Sequence, residues 1–105
     1  MIRATTPTFT FRFPQQISVT DIEEVVLTFK QAGIKKLVKY LDDLTVDVEK
    51  NAFELELSQT DTKAFIADED CEIDMRPMID GKVYHTEIVY TDVKRVLNDE
   101  VITIS

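Results

Sequence analysis

Strict alternation of apolar and polar residues in three separate stretches constrains this chain more than any other feature. The stretches are residues 8–13, 52–57 and 71–76. Successive side chains of an extended strand point to opposite faces, so a period of two predicts strands with one buried face. The predicted inward residues are Phe9, Phe11, Phe13, Phe53, Leu55, Leu57, Cys71, Ile73 and Met75. The alternation therefore predicts a mainly β domain.

The third stretch runs into a short turn signal. Asp80 and Gly81 follow Ile79, and this dipeptide supplies the positive φ angles of a tight hairpin. We predict a return strand over residues 83–90, with Tyr84, Ile88 and Tyr90 on one face.

Residues 20–33 are compatible with a helix or a strand. Apolar spacing at Ile22, Val25, Val26 and Phe29 is helical, Thr20 and Glu23 suit a capping box, and Gly33 could end a helix. Val25, Leu27 and Phe29 also alternate, and the segment is rich in β-formers. We predict a strand, a turn at residues 31–33, and a second strand over residues 34–41.

The segment between the second and third alternating stretches predicts one short helical crossover. Ser58 and Thr60 are good N-caps, Asp61 suits the positive end of a helix, and Phe65 would then enter the core. The tail predicts one more strand over residues 93–97 and a short final piece at Val101, Ile102 and Ile104.

Together these elements predict one domain over residues 1–105. It would contain six to eight short strands and one short helical crossover, arranged as a β-sandwich, with a partly open barrel as the alternative. No Gly/Ser linker or repeat divides the chain, which has only two glycines.

Residues suited to catalysis are scarce. His85 is the only histidine, within the predicted return strand and opposite Tyr84 and Ile88, which predicts a surface or partly packed side chain. Cys71 is the only cysteine, at an inward position among acidic neighbours, which predicts an inert core filler in a reducing compartment. The sequence therefore names no catalytic or cofactor-binding residue.

Three acidic clusters raise the question of calcium. They are Asp42, Asp43 and Asp47; Asp68, Glu69 and Asp70; and Asn98, Asp99 and Glu100. None has the spacing or the central glycine of an EF-hand loop, so solvated turns are the preferred interpretation and no metal ligand is named.

The charge balance limits the partners. Twelve basic and twenty acidic residues give a net charge of −8, which disfavours nucleic acid and anionic membranes. The densest basic stretch, at Lys35, Lys36 and Lys39, is followed by Asp42 and Asp43 and predicts a solvated strand face. No secretory signal or membrane span is expected. A basic protein partner is compatible with this balance.

Two resemblances extend this interpretation. Residues 57–65, followed by the strand that begins at Cys71, are similar to the crossover that joins the two sheets of immunoglobulin-like domains. That similarity implies an immunoglobulin-like β-sandwich.

The layout as a whole resembles small proteins from the structural gene modules of bacteriophages and prophages of Gram-positive bacteria. The matching pieces are residues 2–11, 26–33, 57–62, 72–76, 80–83 and 96–102. The resemblance implies a non-enzymatic virion component of the tail or baseplate type, assembled in the bacterial cytoplasm. Its partners would be other phage structural proteins, and a homo-oligomer is compatible with such a role. The alternative is a stand-alone acidic adaptor or inhibitor that contacts a basic protein.

Overall fold

The computed structural model describes residues 1–86 and 88–103, and in that part of the chain eight strands and one α-helix are found. In chain order they are β1 (Thr8–Arg12), β2 (Glu24–Gln31), β3 (Ile34–Tyr40), β4 (Thr45–Asp47), β5 (Ala52–Glu56), α1 (Gln59–Lys63), β6 (Cys71–Ile79), β7 (Lys82–Val83) and β8 (Val89–Thr91). Short 3₁₀ turns lie at Val19–Asp21 and Leu41–Asp43. With five residues, α1 is far too short to span a membrane, and no described helix is long and apolar enough to do so.

The strands form two antiparallel sheets. One has the order β1-β5-β4, and the other has the order β3-β2-β6-β7, with β8 also paired to β6. The mainly β fold class, the number of strands and the single short helix are confirmed. The more specific immunoglobulin-like assignment stays a prediction.

The core lies between the two sheets. Phe53, Leu55 and Leu57 in and after β5 are buried, as are Ile73 and Met75 of β6, as their alternation predicted. Phe65, placed by the turn after α1, is also buried, and its ring meets the ring of Phe29 edge-on with centroids 5.9 Å apart. Burying a large apolar side chain stabilises a fold by about 1.5–3 kcal/mol. The crossover therefore contributes to the same core as the strands.

Residues 24–31 form a strand, as predicted. β2 lies between β3 and β6, and the side chains of Val25, Leu27, Phe29 and Gln31 are buried on its inward face. Ala32 and Gly33 have φ angles of 49° and 76° and close the hairpin to β3. Pairing on both edges satisfies the backbone of this segment and favours the strand over the helix.

The predicted return strand over residues 83–90 is wrong in its continuity. The Asp80–Gly81 hairpin forms as predicted, but β7 ends at Val83 and pairing resumes at Val89. Between the pairs Met78–Val83 and Ile73–Val89, β6 advances five residues while the returning chain advances six. One extra residue breaks the ladder and shifts the alternation.

The extra residue also separates the two tyrosines that were predicted to share a face. The Tyr84 amide donates to the carbonyl of Pro77, at an inward position of β6, whereas Tyr90 pairs with Glu72, at an outward one. The predicted common face of Tyr84, Ile88 and Tyr90 is therefore wrong, although all three side chains are exposed.

The predicted strand over residues 93–97 is also absent from the described structure. Val93 is buried, and only Lys94 bridges to Ile2, so this segment is held by the chain's amino terminus rather than by a sheet. The final strand piece is not seen at Val101 or Ile102, and Ile104 lies outside the described residues.

Candidate docking groove

β1 is an edge strand whose outer backbone groups lack a partner. The Phe13 amide donates to the carbonyl of Asn51, and the Leu57 amide donates to the carbonyl of Pro7. In an antiparallel ladder alternate residues face the partner strand, so the backbone groups of Thr8, Thr10 and Arg12 point away from β5. Within residues 1–86 and 88–103 no backbone hydrogen bond reaches those three residues from that side.

A wide groove runs beside this edge. It has a volume of about 890 Å³ and separates β1 from residues 84–86 and 89–91. Inward residues of β6, among them Ile73 and Met75, line its floor. We call this feature the β1 groove.

The groove opens on this side because the edge strands of the two sheets follow each other directly in the chain only on the other side. There, β3 leads into β4 through the turn at Leu41–Asp43. This turn connects the five-stranded sheet to the three-stranded sheet, which we call the narrow sheet. On the groove side β1 ends the three-stranded sheet, while β7 and β8 extend the five-stranded sheet. Within residues 1–86 and 88–103, no backbone hydrogen bond joins β1 to β7 or β8 across the groove.

The walls of the groove are rich in aromatic and aliphatic side chains. Phe9, Phe11 and Phe13 are only partly buried although they pack against the core. Across from them Tyr84 and Val89 are about half exposed. Exposed apolar surface that is contiguous and borders a free strand edge is typical of a protein-binding site.

Carboxylates lie on the outer surface near the groove. Glu54 and Glu56 lie on the outward face of the narrow sheet, directly opposite Thr10 and Thr8. On the other rim, Asp74 contacts His85 at 2.9 Å between Oδ2 and Nε2. Because the chain also has a net charge of −8, these carboxylates favour the approach of a cationic ligand or partner.

His85 occupies the rim of the groove and not its bottom. Its side chain is 52% exposed, and Asp74 is its carboxylate partner. The residue lies between β7 and β8, so its predicted position inside a strand is wrong, while its predicted surface location is confirmed. No second carboxylate is found beside it among the described residues.

Cys71 is fully buried at the start of β6, as predicted. Burial, together with the charge of Glu72, raises the pKa of its thiol to about 11. Such a thiol stays protonated near neutral pH and is a poor nucleophile. Cys71 acts as an apolar filler.

Two of the three acidic clusters have carboxylates with structural partners. Asp43 accepts a hydrogen bond from the Tyr40 amide at 2.9 Å, Asp47 accepts one from Lys50, and Asp99 pairs with Arg3. In the described part of the chain, no three His, Cys, Asp or Glu side chains come close enough together to hold a metal ion. Lys39, from the basic stretch, forms an ion pair with Asp61 at 3.3 Å.

A second apolar area is much smaller. Val26, Val38 and Met78 lie on the outward face of the five-stranded sheet and are partly buried by their neighbours. Val26 and Met78 line a hollow of about 80 Å³ together with Glu24, Arg76 and Val83. This hollow is too small to hold more than a side chain.

The sequence pattern does not predict the β1 groove. Three phenylalanines within five residues were correctly assigned to an inward face, yet alternation does not reveal which strand covers that face. Comparison with protein-family models, curated proteins and solved structures finds no match to this chain. The groove and the charge around it are the features of this chain that bear on its function.

Proposed function

We propose that this protein is a non-enzymatic docking domain and that it serves as a structural or assembly component of a bacteriophage or prophage particle. The observation that carries the docking role is the free edge of β1 beside an apolar groove of about 890 Å³. The particle is suggested by the resemblance of residues 2–11, 26–33 and 96–102 to phage structural-module proteins.

A free strand edge suits docking because it combines two kinds of recognition. Unpaired N–H and C=O groups bind any extended backbone, and the pockets beside them select side chains. The same groups are a liability when left exposed, because they pair with unintended chains. This protein keeps such an edge next to the partly buried rings of Phe9 and Phe11 and the exposed ring of Tyr90, so a partner that covers the edge would also bury apolar surface.

A non-enzymatic role agrees with the chemistry of the groove. The most reactive groups at hand are His85, half exposed at the rim, and the buried, protonated thiol of Cys71. A general base and a nucleophile must lie within hydrogen-bond reach of each other, and these two residues lie at different places in the fold.

Mass spectrometry of purified particles tests the structural role. Particles would be prepared from the strain that carries the gene, as mature virions and as assembly intermediates. We expect this chain in at least one preparation, at a constant ratio to a major structural protein. A cytosolic host protein of similar abundance measures contamination. Absence from both preparations would contradict the proposal.

Repetition in a particle also predicts self-association or mixed assembly in the host cytoplasm. Light scattering on the purified protein, alone and with the neighbouring structural proteins, measures this. We expect a defined complex with at least one of them, with no contribution from nucleic acid or lipid.

A second candidate is a stand-alone acidic adaptor or inhibitor of a basic protein. The net charge of −8 favours it, because such a surface accelerates association with a cationic partner in a salt-sensitive way. Retrieval from host lysate at low and high salt separates the two roles. An adaptor would capture a basic host protein that is lost at high salt, whereas a particle component would capture virion proteins.

A further inference from the structure

We propose that the β1 groove binds an extended segment of a partner protein in which apolar residues alternate with lysine or arginine, and that this segment pairs with β1 as an added strand. The inference rests on the proposed docking function and specifies the chemistry of the partner.

The backbone of β1 sets the shape of the occupant. Thr8, Thr10 and Arg12 each turn one N–H and one C=O away from β5. These groups recur every two residues, about 6.6–6.8 Å apart along the strand, which is the repeat of another extended chain. A helix or a compact ligand cannot satisfy such a row. A strand of about five residues can.

The groove determines what every second side chain must be. Side chains of an added strand alternate between the interior and the outer surface, as those of β1 do. The inward ones would lie beside Phe9 and Phe11 and above Ile73 and Met75 of β6. A volume of about 890 Å³ is within the range of about 300–1,000 Å³ typical of binding pockets. Apolar side chains at alternate positions match this lining.

The remaining side chains would face outward beside the narrow sheet. There Glu54 and Glu56 follow Thr10 and Thr8 in the next strand, and Arg12 is the one basic residue of β1. These carboxylates lie two strand spacings, about 9.5 Å, from an added strand, so a long lysine or arginine side chain could reach them across Thr8 and Thr10. Glu54 also pairs with Lys50 at 3.4 Å, and Glu56 is exposed. A second copy of this chain is a poorer occupant, because each copy carries a net charge of −8 and would repel the other.

A pair of synthetic peptides tests the chemistry. The first alternates valine and lysine over seven residues with capped ends, and the second has glutamate in place of lysine. We expect the valine–lysine peptide to bind and to protect the amides of Thr8, Thr10 and Arg12 from hydrogen exchange, as measured by NMR. We expect the valine–glutamate peptide to bind at least roughly tenfold more weakly.

Two proline variants test the site. Thr10→Pro removes an outward N–H that takes no part in the ladder to β5, and edge strands tolerate proline at such positions. We expect roughly tenfold weaker binding of the valine–lysine peptide. Val46→Pro is the matched control: Phe53 turns its backbone groups toward β1, so those of Val46, which is paired with Phe53 in β4, point away from β5 on the opposite edge. Its binding should be unchanged.

A change in the peptide covers the case in which Thr10→Pro does not fold. A valine–lysine peptide with methylated backbone nitrogens keeps its side chains but loses its donors, and the wild-type protein should bind it at least roughly tenfold more weakly. Equal binding of the lysine and glutamate peptides, protection of β3 or β4 amides instead of β1, or a concentration-dependent oligomer that protects β1 would each overturn the inference. These results use purified protein and peptides, so they are independent of whether the chain is found in particles.

Discussion

Gln31 and Ile66 are 35 positions apart and exchange two hydrogen bonds. The Nε2 of Gln31 donates to the Ile66 carbonyl at 2.9 Å, and the Ile66 amide donates to Oε1 of Gln31 at 2.7 Å. A third bond runs from Nε2 to the carbonyl of Glu69 at 3.0 Å. Gln31 is fully buried at the end of β2. This side chain therefore fixes the loop between α1 and β6 against the five-stranded sheet.

Replacing Gln31 by leucine should destabilise the protein by about 2–4 kcal/mol, because backbone groups of Ile66 and Glu69 would be buried without partners. Chemical denaturation measures this change in the free energy of unfolding. Gln16→Leu is the matched control, since Gln16 is exposed, and its effect should stay within about 0.5 kcal/mol. A small effect at Gln31 would show that the loop is held by other contacts.

Asn51 combines a strained backbone with a network of side-chain bonds. Its φ angle is 52°, its Nδ2 donates to the carbonyls of Phe13, Pro14 and Ile17, and its Oδ1 accepts from the Val19 amide. Asn51→Ala should cost about 2–4 kcal/mol, since it loses the bonds and keeps the strain. Asn51→Gly should be less destabilised by about 1 kcal/mol, because glycine adopts positive φ freely. Thermal and urea unfolding compare the two, and equal losses would argue against the backbone contribution.

Cys71 predicts a loss of stability at alkaline pH. Burial raises the pKa of its thiol in the folded state to about 11 from an ordinary value of 9.0. The folded state therefore binds the thiol proton more tightly than the unfolded state does. The contribution of this thiol to the free energy of unfolding is complete below pH 9 and declines as the pH rises towards 11. Other groups also titrate there, so the measurement is the difference in unfolding free energy between wild type and Cys71→Ala across that range. A constant difference would contradict the prediction.

Asp61 predicts a dependence on acid pH. Burial opposes its ionisation, but bonds from the Ser58 amide and from Lys39 outweigh burial and hold the pKa of Asp61 below its ordinary value of 3.8. The stabilisation is present above that value and is lost as the pH falls through the lower, folded-state pKa.

Asp61→Asn should therefore lose about 1 kcal/mol at neutral pH, and its difference from wild type should shrink below pH 4. Unfolding measured from pH 7 to pH 2.5 tests this. Asp42→Asn is the control, at an exposed carboxylate in a 3₁₀ turn. It should change the free energy of unfolding by no more than about 0.5 kcal/mol, both at neutral pH and below pH 4. Equal pH profiles for the two variants would contradict the prediction.

Local chemistry was sufficient to predict several elements. The alternation of residues 8–13, 52–57 and 71–76 predicted three strands and their inward faces. Ser58 caps α1, where its hydroxyl accepts from the Asp61 amide at 3.0 Å, as its residue type indicated. Asp80 and Gly81 take positive φ angles in the hairpin. In each case the determining interaction lies within a few residues along the chain, so the sequence carries the whole signal.

Other features depend on contacts between distant segments. Residues 83–90 have the composition of one strand, yet the extra residue in their pairing with β6 divides them into β7 and β8. Val93 is buried because the amino terminus covers it, with the Lys94 amide bonded to the Met1 carbonyl at 2.8 Å. Periodicity reports which face of a segment is apolar. It does not report the register of its neighbour or the element that covers it.

The sequence by itself thus determined the β class, the inward faces, and the turns and caps, because these follow from backbone geometry and side chains in immediate succession. Only the tertiary structure decided that Phe9, Phe11 and Phe13 would border an open groove. The groove exists because a three-stranded sheet is stacked on a five-stranded one and ends at β1. The relative width of two sheets is a property of long-range pairing, and no local pattern encodes it.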